Sequence, residues 1–585
     1  MLPAFGLEEN MTEKKWIYRN KATAENDIRS ASGRLGIPPI FVTILANRGI
    51  KEADMLPFLQ KSTQDIIDPM RMMDMDTAAE RVKAAVENKE KIVVYGDYDV
   101  DGITSTSLLY DFLTSLGADA GYYIPERDGE GYGINIMAVN KLVKQGVKLM
   151  ISVDCGITAI GEVEFASLQG MDVIITDHHT CKERMPSAAK AIVNPKREDD
   201  EYPFKELAGV GVAFKLALAV SMKMGIKTID TFNKYIDLAA IGTIADVVPL
   251  VGENRIIADR GIKKLRHTKR PGLAALLEKC GTQPSKLNAS SVAFSIAPRL
   301  NAAGRLGSAE TGVRLLLAGD AAEAEPIAAE LDEQNKERQL TEQRIFDEAL
   351  EIIAEDPNFE KKKVIVLAKE GWHHGVIGIV ASRVCEKFYK PCILISHSNG
   401  TGKGSGRSIK GFDLFEALSA CEDSLVQFGG HKAAAGLTIN VSDIEKFTEK
   451  INKYADEKLT PDDMIPKVNI DCAVSERALT LKNAENLARL EPFGVGNEKP
   501  VFSLSNAVVA YAGAVGADKK HLRLSLKRNG VQVNAIGFYM GGLAETLKYG
   551  DAVDAAFQMD INSYQGSRAV QLILKDVKKH NQIRD

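Results

Sequence analysis

A chain of 585 residues is too long for one hydrophobic core, so roughly three to four domains are expected. Its 45% hydrophobic and 26% charged residues are ordinary for a soluble globular protein, and a net charge of -5 excludes a surface that coats nucleic acid indiscriminately while leaving room for a local basic groove. Seven scattered cysteines without a C-x-x-C pair argue against a disulfide framework or a zinc ribbon, and the lack of a signal segment or a membrane-spanning stretch points to the cytoplasm and away from membranes.

Residues 1–90 read as a helical lead-in, with apolar residues at helical spacing between Ile40 and Leu59 and no evident chemistry. KIVVYGDYDVDG (Lys91 to Gly102) then reads as a buried strand that ends in Asp97, Asp99 and Asp101. Alternate residues of an extended segment point the same way, so these carboxylates crowd one side and repel unless cations neutralise them. A divalent metal would do so; a solvated acidic turn is the plain alternative. Strand and helix then alternate. Helices are expected over Ile103 to Leu116 and Ile134 to Lys144, and strands over Ala120 to Ile124, Lys148 to Val153 and Asp172 to Thr176. The last two strands end in Asp154 and in Asp177, His178 and His179, and Asp246 follows an apolar segment. In an open parallel sheet such groups gather outside the carboxyl ends of the strands, near a topological switch point.

The cluster is rich in oxygen ligands with one or two imidazoles, which suits manganese, magnesium or zinc, the absence of thiolate pairs weighing against zinc. Cys155 and Cys181 lie beside the acidic motifs but read better as core filler than as ligands. Asp99, Asp101, Asp154 and Asp246 would balance two divalent ions, one carboxylate bridging them. Two ions about 4 Å apart would activate a water and stabilise the leaving oxygen of a displacement at phosphorus, which is phosphoester hydrolysis. Adjacent histidines point apart in an extended backbone, so one of His178 and His179 would be a ligand and the other would face the substrate.

Further on, Arg299 and Arg305 flank Asn301 in a Gly-Ala-rich loop that could wall a strand-binding channel or serve only in capping and packing. Ala321 to Ile353 reads as a long connecting helix, and Lys361 starts a second α/β lobe with two glycine-rich loops, GTGKGSGRS and FGGHKAAAG. The first is no Walker A loop, because Gly404 follows Lys403. From Lys467 on, alternating apolar and polar runs suggest five or six strands of a small closed barrel, an OB-fold being a common single-strand-binding module. Phe493, Lys519, Lys520, His521, Arg523 and Lys527 are its basic and aromatic candidates.

VYGDYDVDG, SVDCGIT, TDHH and IGTIADVVPL resemble, in order and spacing, the four motifs of the DHH phosphoesterases, and YIPERDGEGYG, SIAPRLNAAGRLG and EPFGVGNEKPVFSL are similar to the RecJ family of bacterial single-strand-specific DNA exonucleases. The resemblance implies that Asp99 and Asp154 hold one metal, that Asp101, Asp154, His178 and Asp246 hold the other, and that His179 faces the scissile phosphate. The histidine common four residues before the first of these aspartates is Tyr95 here, which leaves Asp97 to assist the first metal. It further implies that Arg127, Ser405 and Arg407 take the terminal phosphate and impose five-prime to three-prime polarity, with His431 also on the strand. The glycine-rich loops look like signatures of the DHHA1 domain. The expected organisation is a helical segment 1–90, a parallel-sheet DHH domain 91–318, a connecting helix 319–358, a DHHA1 domain 359–460 and an OB-like barrel 465–585. The implied enzyme is a monomeric exonuclease on single-stranded DNA using two Mn2+ or Mg2+ ions in recombination and repair, with single-strand-binding protein and a RecQ-type helicase as partners; a phosphodiesterase for cyclic dinucleotides or short oligonucleotides is the alternative.

Overall fold

The computed structural model describes residues 14–19, 25–126, 133–564 and 566–580. They form two compact units, Lys61–Gln343 with Pro492–Glu498, and Met1–Gln60 with Arg344–Glu491 and Lys499–Asp585.

The first unit is built on a five-stranded parallel sheet in the spatial order Asp119–Tyr123, Lys91–Tyr95, Leu149–Val153, Asp172–Thr176, Ala191–Val193. Each strand is nearly all apolar because both faces are covered. Ile92, Val94, Leu149, Ile151 and Ile174 pack in one core with helices Met75–Glu87, Val100–Ser115 and Gly209–Lys223, and Thr228–Ala245 packs on the last two of these. Val93, Tyr95, Met150, Val173 and Ile175 face Ile136–Lys144 and Ile160–Leu168. Burial of each such side chain contributes about 1.5–3 kcal/mol. The chain order reverses between Lys91–Tyr95 and Leu149–Val153, and this switch point opens a crevice at the carboxyl ends of those two strands.

One expected loop of this unit is helical. SIAPRLNAAGRLG forms a π-helical turn, Val292–Ile296, followed by helix Ala297–Leu306. Its alanines, leucines and arginines are good helix formers, and Pro298, which has no N–H to donate, directly follows the π-helical turn. Gly304 is there for close approach rather than for a turn, since a Cβ on it would lie 2.4 Å from the Tyr98 carbonyl oxygen.

In the second unit a mixed sheet runs in the order Gln427–His431, Ala434–Asn440, Thr401–Arg407, Cys392–Ser398, Ile365–Glu370, with only the last two strands parallel. Both glycine-rich stretches read as loops are therefore strands. Gly402, Gly404 and Gly406 share one face, where added Cβ atoms would lie 2.7–2.8 Å from Ile395, Leu437 and Leu414. These glycines make room for neighbouring side chains within the sheet.

The C-terminal strands close as expected. Cys472–Ala473, Phe502–Val515, His521–Arg528, Val531–Gly537, Ser567–Lys579 and Ala552–Tyr564 form one sheet, which the pairing of Phe502–Val515 with Ala552–Tyr564 shuts into a barrel. Lys15–Tyr18, within the stretch read as helical, is a strand parallel to Lys467–Ile470. Four residues are too few for a periodicity to register. Nearby, Arg48 forks onto Asp471 at 2.8 and 3.1 Å. The long helix spans Ala321–Glu355, and no helix among the described residues is long and apolar enough to cross a membrane.

Candidate metal centre

Strand Lys91–Tyr95 passes through Gly96 to Asp99, which caps helix Val100–Ser115. Asp99 Oδ1 accepts the Asp101 and Gly102 N–H groups at 2.9 and 3.1 Å. Asp101, buried one residue into the helix, accepts Gly209 N–H at 2.7 Å and Val210 N–H at 2.8 Å through its two oxygens. Those donors begin helix Gly209–Lys223, whose positive end favours a carboxylate. Asp154 leaves the end of Leu149–Val153 with φ of 61°, and Asp246, at the end of Thr228–Ala245, is followed by Val247 with φ of 62°. Left-handed backbone at Asp154 and at the β-branched Val247 costs of order 1 kcal/mol each, and such strain clusters at functional sites.

The six residues expected at the site converge. His178 Nε2 lies 3.2 Å from Asp154, 3.6 Å from Asp246 and 3.9 Å from Asp101. Ligand atoms of Asp97, Asp99 and Asp154 fall within 4.8 Å of one another, and so do those of Asp101, His178 and Asp246, and of Asp154, His178 and His179. Among the described residues, Asp154 Oδ1 and His178 Nε2 are buried with no partner in hydrogen-bond geometry. Buried polar atoms left this way cost about 1–3 kcal/mol each unless an ion completes them. Carboxylates with one imidazole fit a hard divalent cation. Cys155 fits the filler reading: burial, then Asp97, hold its thiol well above its usual range.

Asp177, absent from the expected site, orients the second histidine. Its Oδ1 accepts the N–H groups of His178 and His179 at 2.7 and 3.0 Å and lies 2.8 Å from His179 Nδ1; its Oδ2 accepts Ile157 N–H at 2.9 Å. Asn194 donates to the His179 carbonyl at 2.9 Å. The aspartate just before the two histidines is the signal that would have found it.

Burial holds Asp101 and Asp154 well above the usual carboxylate range, and the neighbouring aspartates add to it. Burial, then Asp99, lift Asp246 to about 7. Burial and the charge of His179 lower His178 to about 3, so its ring is neutral and able to ligate. Burial works against protonation of His179 too, but the bond to Asp177 outweighs it and raises its pKa.

A stability prediction follows from Asp246. With metal chelated, the folded state keeps a proton on Asp246 up to about pH 7, whereas the unfolded chain loses it near the ordinary 3.8. The folded state binds more protons across that window, so stability falls as pH rises through it. In chelator, Asp246→Asn should melt close to the parent at about pH 4 and roughly 5 °C above it at about pH 8. Parallel melting curves at both pH values would discount the raised pKa.

The residues expected on the strand are scattered more widely. Arg299, on helix Ala297–Leu306, donates to Asp332 and to the Ser295 carbonyl, both at 2.8 Å. Asn301 Oδ1 accepts Val100 N–H at 3.1 Å, and Arg305 lies in the last turn of the same helix. Arg127 lies outside the described residues. In the second unit, Ser405 and Arg407 share the face of their strand opposite the glycines, and a Cβ on Gly378 of helix His374–Phe388 would lie 2.8 Å from Ser405 Oγ and 3.1 Å from Arg407 Nη2. Arg407 donates to Ser405 Oγ at 3.2 Å and to the Gly406 carbonyl at 2.7 Å. His431 ends the exposed strand Gln427–His431.

On the barrel, Arg523 stands over the exposed Tyr511 ring at 6.0 Å, and His521 meets the exposed Phe538 and Tyr539 edge-on at 5.4 and 5.2 Å. With exposed Lys519, Lys520 and Lys527, this interleaves cations and π-faces as single-strand binders do. Tyr511, Phe538 and Tyr539 were not among the expected residues; Tyr511 lies on strand Phe502–Val515, and Phe538 and Tyr539 form the turn that follows Val531–Gly537. Phe493, by contrast, belongs to the first unit.

A parallel sheet whose switch point gathers aspartates and a histidine pair defines a member of the DHH class. Family models agree: the DHH family N-terminal domain matches residues 91–243, the DHHA1 domain 361–457 and the RecJ OB domain 470–576. The single-stranded-DNA-specific exonuclease RecJ of Bacillus subtilis is 41% identical over 569 residues, covering 97% of this chain and 71% of the relative. The RecJ of Salmonella typhimurium is 35% identical over 561 residues, covering 92% and 96%. The crystal structure of RecJ from Thermus thermophilus in complex with Mn2+ superposes with a TM-score of 0.83 at 32% identity, over 97% of this chain and 79% of that one. The chain belongs to the RecJ family.

Proposed function

We propose that the protein is a metal-dependent exonuclease that degrades single-stranded DNA from its five-prime end to mononucleotides. The observation that carries this is the pair of adjoining ligand clusters sharing Asp154, in which the buried Asp154 Oδ1 and His178 Nε2 lie 3.2 Å apart and neither has a partner in hydrogen-bond geometry. The relatives are named single-stranded-DNA-specific exonucleases, and the Thermus structure contains Mn2+.

Asp99 and Asp154, assisted by Asp97, would hold one Mn2+ or Mg2+ ion, and Asp101, Asp154, His178 and Asp246 the other. When bound, such ions lower the pKa of a water and neutralise charge on a phosphodiester. The protein fixes the ligands beforehand: Asp99 is held by its capping bonds, Asp101 by a helix N-terminus, and neutral His178 by burial. His179, kept in register by Asp177 and half-exposed, faces the phosphate and donates a proton or a hydrogen bond there. Ser405 and Arg407, with Arg127, take the terminal phosphate, and the barrel's aromatic and basic surface holds bases and backbone. The reading carries with it a cytoplasmic monomer acting in recombination and repair beside single-strand-binding protein and a RecQ-type helicase.

The test is a single-stranded oligonucleotide labelled at one end or the other, incubated with Mn2+, Mg2+ or chelator. Release of labelled mononucleotide from the five-prime end alone, with duplex spared, supports the proposal. Inactivity on DNA together with cleavage of cyclic dinucleotides would transfer the chemistry to the smaller substrate. Arg407→Gln should raise KM about 10-fold for a five-prime-phosphorylated strand and leave kcat nearly unchanged, since it removes a ground-state contact. An equal fall in kcat for phosphorylated and hydroxyl ends would remove Arg407 from that role.

A further inference from the structure

Asn301 sits in a stretch that suggests nucleic-acid contact, yet its Oδ1 is spent on Val100 N–H at 3.1 Å. Val100 opens the helix carrying Asp101, and Asp99 is its cap. A helix leaves its first N–H groups without intrahelical acceptors. Here Asp99 Oδ1 takes those of Asp101 and Gly102, while Asn301 takes that of Val100. Asn301 thus supplies the acceptor that Asp99 does not give to Val100, and Asp99 Oδ2 stays outside these capping bonds.

Three further features press the same helix onto the acidic turn. Gly304 allows Ala297–Leu306 to approach the Tyr98 carbonyl so closely that a Cβ would lie 2.4 Å from its oxygen. The π-helical turn Val292–Ile296 re-aims the helix that follows. Arg299 pins it from the other side through Asp332 of the long helix.

We propose that Asn301 is a positioning residue of the metal centre: by capping Val100 it fixes the turn from Asp97 to Asp101, and so the place of the Asp99 carboxylate, instead of contacting DNA. The assignment rests on the metal reading above and deepens it. Groups that orient ligands without touching the ion typically change metal affinity 10- to 100-fold.

The experiment measures Mn2+ binding to the chelator-stripped full-length protein without DNA, by loss of the free-ion EPR signal, and single-stranded DNA binding in chelator by fluorescence anisotropy. Asn301→Ala should weaken Mn2+ binding about 10-fold and leave DNA binding within about two-fold of the parent. Asn301→Asp keeps the acceptor and should keep Mn2+ affinity, whereas Asn301→Leu fills nearly the same space without an acceptor and should weaken it as the alanine does, a loss that a space-filling role would not give. Gly304→Ala displaces the Tyr98 carbonyl with Asn301 intact and should also lower Mn2+ affinity, which keeps the proposal testable if Asn301→Ala folds poorly. Parent-like Mn2+ affinity in Asn301→Ala, or DNA binding weakened in its place, would overturn the assignment. If the parent binds no Mn2+ at all, the metal reading itself fails, an outcome distinct from a parent that binds and a variant that binds equally.

Discussion

Asp154→Asn should lower cleavage of single-stranded DNA by about 10^2- to 10^3-fold, the scale on which loss of one essential electrostatic group acts, and should weaken Mn2+ binding at both sites together. The carboxylate belongs to two ligand clusters, one with Asp97 and Asp99 and one with His178 and His179, and it lies 3.2 Å from the His178 ring. On the two-ion reading proposed above, its removal should reach both ions. The fold should not suffer: burial and the neighbouring aspartates already disfavour its charge, so the metal-free variant should melt at or above the parent temperature. Titration of Mn2+ against each protein separates the outcomes. A variant that kept one tight site would show that Asp154 does not bridge.

Gly209→Ala comes next in size. A Cβ there would lie 2.5 Å from Asp154 Oδ1, nearly an ångström inside ordinary contact, and that carboxylate is held by a left-handed backbone with little freedom to retreat. The same residue donates its N–H to Asp101, so one methyl disturbs two ligands. A misplacement near 1 Å costs roughly 10^2-fold in rate. Overpacking costs about 1–3 kcal/mol, partly offset by alanine's preference for helix of about 1 kcal/mol. Gly161→Ala, on a helix with nothing within 4 Å of the added carbon, is the control and should leave turnover unchanged. Equal turnover in the two variants would show that the Asp154 carboxylate tolerates displacement.

Much of the centre was legible because strand ends impose it. The apolar runs at Val93, Ile151 and Ile174 end within a few residues of their carboxylates or histidines, and a parallel sheet aligns those ends along one edge. The supporting groups were not legible. The N–H groups of Gly209 and Val210 carry no side-chain signature, and Asp177 and Asn194 act through bonds whose partners are fixed only once the strands are side by side. Glycine misled in two places for one reason. At Gly304, and again at Gly402 to Gly406, it permits close approach within regular structure, whereas sequence alone suggests a turn. The barrel was readable from alternation, but which of its aromatics face outward depended on strand register.

Lys15–Tyr18 pairs with Lys467–Ile470, two segments that leave the ribosome far apart in time. At about 5–20 residues per second, the early strand waits of the order of 20 to 90 seconds for its mate. Lys61–Gln343 emerges within that interval with its whole parallel sheet. A nascent chain halted before Lys467 thus carries the complete acidic turn and histidine pair while Lys15–Tyr18 still lacks its partner strand, which makes that strand a segment that a protease should find early in truncated translation products.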